Sequence, residues 1–321
     1  MNGKEGRKKA AFEALLALQR FSWEQGVTVQ AALECGEYEL LAKLVKASVY
    51  RNGENGRIAQ IAYDDSITDT CSTGEGLCYM AEHAQGEEQQ LYQAALDQLV
   101  QWALEKAPRS EDGIIYHLFS TKEYWVDSVY MLPPFLAAAG YPQEALKQIW
   151  GYIDALYDKE YGLMRHRWNV EEKTFTNEKF WGTGNGWTLA GTARLIDLLP
   201  EEMKEERERL IGFNRDLLDR VLACRTSEGW FHNVLNEEES FKEVNLSQMT
   251  AYTICRGIRS GWLNKDYLAV AAQLREAALQ EVDKDGYVHH VCGMPSFDRC
   301  GISPEAQAFF VLMEQEWEHV M

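Results

Sequence analysis

The sequence predicts an all-α fold, an (α/α)6 barrel of six helical hairpins, in one domain that spans residues 1–321. Apolar residues recur at the helical period along most of the chain, and little of it alternates as strands do. Short turns such as Gly140-Tyr-Pro142 join many of the helices into hairpins. The predicted helices cover residues 8–20, 23–34, 37–50, 70–84, 88–106, 125–140, 142–157, 184–198, 202–223, 247–261, 264–281 and 303–318.

Five segments between the hairpins share one pattern, a polar turn followed by a glycine and a short apolar run. The glycine supplies the positive φ of a tight turn, and the run predicts a small β-ribbon. A supersecondary unit that recurs, here about every 50 to 65 residues, is typical of repeat architectures. The glycines are Gly56, Gly113, Gly162, Gly229 and Gly286, and four of the segments continue to a histidine: His117, His166, His232, or the pair His289 and His290.

The two ends of the chain favour closure of the hairpins into a ring. The first predicted helix lacks a partner before it and the last lacks one after it, so pairing them completes the sixth hairpin. An open α-solenoid is the alternative, but the sequence lacks the atypical polar capping repeats that a solenoid needs. In the closed ring every inner helix begins at one rim, where helix N-termini favour an anionic ligand.

Composition limits the partners. The net charge is −18, which repels nucleic acid and anionic membranes at long range. Apolar stretches are too short for a membrane span, and residues 1–9 do not resemble a signal peptide. Seven cysteines without framework spacing indicate free thiols in a reducing compartment. We therefore expect a cytoplasmic protein that binds neither nucleic acid nor membranes, and the sequence leaves its oligomeric state open.

Tryptophans, glycines and polar residues gather where each long loop enters an inner helix, as in the wall of a carbohydrate cleft. Asp127 begins one of these helices beside Tyr124 and Trp125, and Asp69 holds the corresponding position in the preceding repeat. Paired carboxyl groups are the usual machinery of glycoside hydrolysis, because one is held protonated while the other stays charged. Helix capping is the alternative role for both.

The stretch Gly182–Trp187 is rich in glycine at the start of a helix. It lacks the Gly-Lys-Ser/Thr ending of a phosphate-binding loop, so we expect its backbone to approach a sugar. Histidines of separate repeats form a conceivable metal ring, but their spacing is not that of metal ligands. We therefore predict no metal and no cofactor, and we expect His166, between Arg165 and Arg167, to contact the substrate.

Two motifs resemble the unsaturated glucuronyl and rhamnogalacturonyl hydrolases, glycoside hydrolase families 88 and 105. Their Asp motif is similar to Trp125-Val-Asp127-Ser-Val-Tyr-Met-Leu-Pro-Pro-Phe-Leu136. Their pattern Gly-Leu-x-x-His, then Trp-x-Arg-Gly-Asn-Gly-Trp, is similar to Gly162-Leu-Met-Arg-His166 and Trp181-Gly-Thr-Gly-Asn-Gly-Trp187. The order and spacing match, the repeated hairpins fit over most of the chain, and the resemblance implies an (α/α)6 barrel.

The resemblance implies an acidic oligosaccharide substrate, from whose non-reducing end an unsaturated uronic acid is removed. It implies that Asp127 protonates C4 of the C4=C5 bond and takes a proton from the water that adds at C5. Asp69 matches the family's other aspartate only by its place in the repeat. The predicted substrate-binding residues are Trp23, Tyr124, Trp125, Arg165, His166, Trp181, Thr183, Asn185, Trp187 and Arg299.

Thr183 departs from the family pattern, which has arginine at this place. Arg165, Arg167 or Arg299 is then the candidate partner for a substrate carboxylate. Three other functions stay open. They are a saturated uronidase that uses Asp69 and Asp127 as an acid and base pair, an (α/α)6 sugar epimerase with histidine bases, and a noncatalytic sugar-binding or scaffold protein.

Overall fold

The computed structural model describes residues 4–62, 64–293 and 296–321. Its helices are α1 Lys4–Leu18, α2 Ser22–Glu34, α3 Tyr38–Tyr50, α4 Gly74–His83, α5 Gly86–Gln101, α6 Ser128–Met131, α7 Pro133–Ala138, α8 Pro142–Leu156, α9 Gly182–Leu198, α10 Lys204–Ala223, α11 Asn245–Arg259, α12 Leu268–Gln280 and α13 Pro304–Val320. Its strands are β1 Glu123–Trp125, β2 Tyr157–Asp158, β3 Leu163–Met164, β4 Arg167–Asn169, β5 Thr174–Asn177, β6 Phe231–His232, β7 Lys242–Glu243, β8 Val291–Cys292 and β9 Cys300–Gly301.

Alternate helices form an inner ring. Helix α2 packs against α4, α4 against α7, α9 against α6, α7 and α11, and α13 against both α11 and α2, which closes the ring. The outer helices α1, α3, α5, α8, α10 and α12 each pack on an inner one, and α1 pairs with α13 as the two chain ends predicted. The (α/α)6 barrel is therefore confirmed, and the open solenoid is excluded.

Two predicted helices are interrupted. The helix predicted over 125–140 is split into α6 and α7, because Pro133 and Pro134 lack the N–H that a continuous helix needs. The helix predicted over 70–84 begins with a 3-10 turn, Asp69–Thr73, before α4. Each interruption lies close to a predicted carboxylate, since Asp69 begins the 3-10 turn and the short helix α6 follows Asp127.

The loops follow the predicted pattern. All five repeat glycines have φ between +69° and +95°, so any other residue there would be strained. Three of the short sheets are ribbons, β2 with β3, β6 with β7 and β8 with β9. The fourth sheet, in the order β1-β4-β5, joins two successive loops and pairs Trp125 with Arg167. This register brings a tryptophan and an arginine of different repeats side by side at the rim.

Aromatic side chains fill the middle of the ring. The ring centroid of Tyr130 on α6 lies 4.6 Å from that of Trp187 on α9 and 5.7 Å from that of Phe309 on α13. Gly191 lets α9 approach α6, since a Cβ there would lie 2.6 Å from the carbonyl oxygen of Val129. The three aromatic residues separate the open rim from the opposite end of the barrel.

Two further properties bear on the earlier expectations. The seven cysteines all lie in the described residues and are free thiols. Within the described ranges, every helix is too short or too polar to cross a bilayer.

Candidate active site

A cavity of about 900 Å³ opens at the rim where the inner helices begin. Its size is that of a site for a small ligand. It is lined by side chains from all six inner-helix junctions or the loops beside them. Seven of the predicted site residues line it: Trp23, Asp69, Trp125, Asp127, His166, Trp181 and Trp187.

Asp127 precedes α6 but does not cap it, since its side chain makes no capping hydrogen bond. Its carboxyl group is 17% exposed, and within the described residues Oδ2 has no hydrogen-bond partner. Burial raises the pKa of Asp127 to about 6, against smaller lowering effects from its own backbone N–H and the Arg167 charge. The group is therefore ready to hold a proton at mildly acidic pH.

Asp69, which starts the 3-10 turn before α4, has a similar environment. Its side chain is buried, and Oδ1 has no hydrogen-bond partner in the described part of the chain. Burial raises its pKa well above the ordinary value, and the charges of Asp64 and Asp127 add to this effect. Two carboxyl groups that are hard to ionise thus share the cavity.

An imidazole accompanies each of these carboxyl groups. Nε2 of His117 lies 3.9 Å from Oδ1 of Asp69, and Nε2 of His166 lies 3.8 Å from Oδ2 of Asp127. Burial lowers the pKa of His117 to about 3, and it lowers the pKa of His166 well below its usual value. Both rings are therefore neutral near pH 7 and serve as polar contacts, not as cations.

Hydroxyl groups fix the ring of His117. Its Nδ1 lies 2.9 Å from the hydroxyl oxygen of Thr68 and 3.0 Å from that of Ser128. Thr68 precedes Asp69 and Ser128 follows Asp127, so one histidine is bonded to the neighbours of both carboxylates. His117 was not among the predicted substrate-binding residues, although its place in the repeat is the same as that of His166.

Trp125 forms the wall between the two histidines. Its ring stacks on His117 at 4.6 Å between centroids and meets His166 edge-on at 5.8 Å. On its other side, the guanidinium carbon of Arg167 lies 3.6 Å from its centroid, a cation–π contact. Trp181 stacks on His166 at 4.7 Å. The cavity thus combines flat aromatic surfaces with hydrogen-bonding groups, as sugar sites do.

Comparison with known protein families identifies the family of this chain. The sequence model of Glycosyl Hydrolase Family 88 matches residues 4–303. The chain belongs to Glycosyl Hydrolase Family 88. It is thus a glycoside hydrolase.

Individual proteins agree with the family assignment. The unsaturated rhamnogalacturonyl hydrolase YesR of Bacillus subtilis is 27% identical over 288 residues, which are 84% of this chain and 79% of that protein. The unsaturated 3S-rhamnoglycuronyl hydrolase of Formosa agariphila is 30% identical over 200 residues, 57% of this chain and 51% of that protein. A solved structure, a possible member of the GH105 family from Klebsiella pneumoniae, has a TM-score of 0.83 at 21% identity and covers 98% of this chain and 92% of its own.

Five predicted site residues of this family 88 chain do not line the cavity. Tyr124 packs between Tyr116 and Tyr152 behind the wall. Asn185 holds the loop before His166, because its amide accepts from the backbone N–H of Met164 and donates to the carbonyl of the same residue. The others are Thr183, fully buried in α9, Arg165, ion-paired with Asp158, and Arg299, which is exposed beside Asp298.

Arg167 is therefore the candidate arginine that faces the cavity, and it does so because β4 pairs with β1. The cavity also contains residues for which the sequence predicted no role, among them Asn177, Asn233 and Phe297, and it contains Glu305, which was predicted only as one of several polar residues at the rim. The remaining loop histidines lie elsewhere: His232 contacts Ser240, His289 contacts Asp283, and His290 contacts Glu281. The ring of histidines considered from the repeat does not form.

Proposed function

We propose that this chain removes an unsaturated uronic acid from the non-reducing end of an oligosaccharide by hydrating its C4=C5 vinyl ether. The observation that carries the proposal is Asp127, a carboxyl group with a pKa raised to about 6 and an unpartnered oxygen in an aromatic-walled cavity. The relatives in Bacillus subtilis and Formosa agariphila, both unsaturated uronyl hydrolases by name, support the same reaction.

In this reaction Asp127 donates its proton to C4, and the electron pair of the double bond forms the new C–H bond. Positive charge develops at C5 and is shared with the ring oxygen. Water adds at C5 and gives up a proton to the Asp127 carboxylate, which restores the acid. The resulting hemiketal opens at its ring C–O bond. The hemiacetal that this leaves at C1 then breaks down and releases the second sugar as an alcohol.

The anionic sugar needs a partner in a cavity that contains several acids. Arg167 and Lys179 both line the cavity, and an arginine suits a carboxylate because its planar fork donates two hydrogen bonds. Arg167 is already oriented by Trp125, so we assign it as the carboxylate partner in place of the arginine that Thr183 replaces. A protonated Asp69 would limit the repulsion of the substrate.

An absorbance assay tests the proposal. Unsaturated disaccharides from pectin, ulvan and glycosaminoglycan lyases absorb in the ultraviolet, and hydration removes this absorbance. We expect the wild type to bleach at least one of them and Asp127→Asn to lower kcat by about 10³-fold, within the usual range for a general acid. Asp154→Asn, at an exposed position on α8, is the matched control. No bleaching across the panel would contradict the proposal.

Asp69 favours one second candidate, a saturated uronidase. It lines the same cavity as Asp127 and has a raised pKa, and two carboxyl groups with different protonation states form the usual glycosidase pair. A saturated aryl glucuronide discriminates the two reactions. Release of its chromophore without any bleaching of unsaturated disaccharides would favour the saturated uronidase.

A further inference from the structure

Glu305, in the first turn of α13, is a third carboxyl group of the cavity. It is only 1% exposed, it lines the cavity, and its Oε2 has no hydrogen-bond partner among the described residues. It is not needed to cap α13, because Ser303 does this by accepting from the backbone N–H of Ala306 at 3.2 Å. The backbone N–H of Glu305 itself and the Ser303 side chain act on the carboxyl group and lower its pKa slightly, but in the described residues Oε2 stays without a partner and no lysine or arginine pairs with the group. A buried acid with a free oxygen directed at a cavity needs another explanation.

Glu305 and Asp127 lie on opposite walls. In the inner ring, α13 is separated from α6 and α7 by α2 and α4 on one side and by α9 and α11 on the other. Tyr130 and Phe309 nevertheless meet across the middle of the ring, 5.7 Å apart. Asp127 precedes Tyr130, and Glu305 precedes Phe309, by about one helical turn. A sugar ring above this aromatic floor therefore has one carboxyl group on each side.

The surroundings of Glu305 favour its neutral form. Burial raises its pKa to about 8, and the charges of Glu24 and Asp127 add to this effect. Arg20, which follows α1, acts on Glu24. The titratable groups that act on Glu305 are Glu24 on α2 and Asp127 before α6. Glu305 in turn acts on Cys292 on β8, as does Glu243 on β7. Helix α1 offers the Ala11 carbonyl, to which Gln307 donates.

We propose that Glu305 is a substrate-binding residue, which donates a hydrogen bond from its neutral carboxyl group to an oxygen of the anionic sugar on the wall opposite Asp127. This inference rests on the function proposed above. A neutral carboxyl group adds a donor without adding charge, which is what a cavity for an anion requires. Once it ionises, the same group repels the substrate. Binding should therefore weaken as the pH rises through about 8.

Equilibrium binding separates this effect from catalysis. Asp127→Asn, which should turn the substrate over about 10³-fold more slowly than the wild type, is titrated with an unsaturated uronyl disaccharide between pH 6.5 and 9.5. We expect Kd to rise at least about tenfold over this range, the effect of one like charge in a partly buried site. In Asp127→Asn/Glu305→Gln the rise should disappear, since glutamine stays neutral. Adding Glu237→Gln instead, at the exposed rim, should leave the rise in place.

The outcomes are distinguishable. A Kd that does not change with pH in Asp127→Asn would overturn the role of Glu305. This measurement needs no substitution at Glu305, so it remains decisive even if the Glu305 variant folds poorly. A rise that persists in the Glu305→Gln background would overturn it as well. Binding without pH dependence contradicts this inference alone. A wild type that bleaches no disaccharide, with an Asp127→Asn variant that binds none, contradicts both proposals.

Discussion

At the end of the barrel away from the cavity, buried acids are paired with arginines. Nη2 of Arg194 lies 2.8 Å from Oε1 of Glu75, and Nη1 of Arg256 lies 2.8 Å from Oε1 of Glu34. At the rim the nearest ionisable partners of Asp69 and Asp127 are two neutral imidazoles, and Arg167 acts on Asp127 without forming an ion pair. In the described residues, the cavity acids without a lysine or arginine ion pair are Asp69, Asp127, Glu239 and Glu305, and of these Glu239 is exposed to solvent.

This difference decides which acids carry charge. Burial alone would raise the pKa of Glu34, but the charges of Arg256 and Arg194 outweigh it and lower that pKa. Glu305 is more deeply buried than Glu34 and lacks such a partner in the described residues, so its pKa is raised to about 8. The paired charges link inner helices, whereas the unpaired acids hold their protons more tightly, as the proposed reaction requires. One aromatic layer therefore separates the arginine-paired acids from the cavity acids to which we assign roles.

Removing an arginine that pairs with an acid at the end of the barrel away from the cavity should cause the largest change in free energy. Arg194→Ala leaves Glu75 buried without compensation and removes the cation–π contact with Tyr130 at 4.3 Å. We expect a loss of about 3–5 kcal/mol in the free energy of unfolding, measured with urea. Arg209→Ala removes an exposed arginine from the ring of Trp150 and should cost less than about 1 kcal/mol. Equal losses of unfolding free energy in Arg194→Ala and Arg209→Ala would contradict the stabilising role of the buried pair.

Replacing the unpaired acid Glu305 at the rim should change the free energy of unfolding by a smaller amount and in the opposite direction. Because the pKa of Glu305 is raised on folding, its stabilising contribution is present at low pH and is lost as the pH rises through about 8. Glutamine does not titrate, so Glu305→Gln does not lose this contribution. The free energy of unfolding of Glu305→Gln minus that of the wild type should therefore be on the order of 3 kcal/mol larger at pH 9 than at pH 4. Urea unfolding at both pH values measures this. A difference that is the same at pH 4 and pH 9 would show that Glu305 is not held neutral.

Two neighbouring arginines, Arg165 and Arg167, test which side chain at the rim binds the substrate carboxylate. Arg167→Ala should raise KM for an unsaturated disaccharide about tenfold, equivalent to about 1.4 kcal/mol, by removing the proposed carboxylate partner. Arg165→Ala is the matched control, since Arg165 is ion-paired with Asp158 outside the cavity. Initial rates over a range of disaccharide concentrations give both values. An equal rise in KM for the two variants would remove the special role of Arg167.

The fold was predictable because it depends on local patterns. Helical periodicity, the repeat glycines with positive φ and the complementary end helices together specify a closed ring. The position of Asp127 at a helix start beside aromatic residues and the family resemblance both predicted it as a site residue. The structure adds its burial and, in the described residues, an oxygen without a hydrogen-bond partner. The helix predicted over residues 125–140 is interrupted at Pro133 and Pro134. Proline explains the break, but the helical spacing of apolar residues continues across it and so did not predict it.

Side-chain direction at the rim was not predictable from spacing. Arg165 and Arg167 flank the same histidine, yet only the pairing of β4 with β1 turns Arg167 toward the cavity. Asn185 and Thr183 lie in the Gly182–Trp187 stretch but face the loop or the interior of the barrel. Glu305 was visible only as one of several polar residues near the end of the sequence. Its burial opposite Asp127 depends on closure of the ring between α13 and α2.

The pH dependence of kcat/KM tests the central claim most directly, that burial keeps a proton on Asp127 for transfer to the substrate. For an unsaturated disaccharide, kcat/KM should fall about tenfold per pH unit above an apparent pKa near 6, because the free enzyme must carry this proton. A value of kcat/KM that stays constant from pH 6 to pH 9 would contradict the claim.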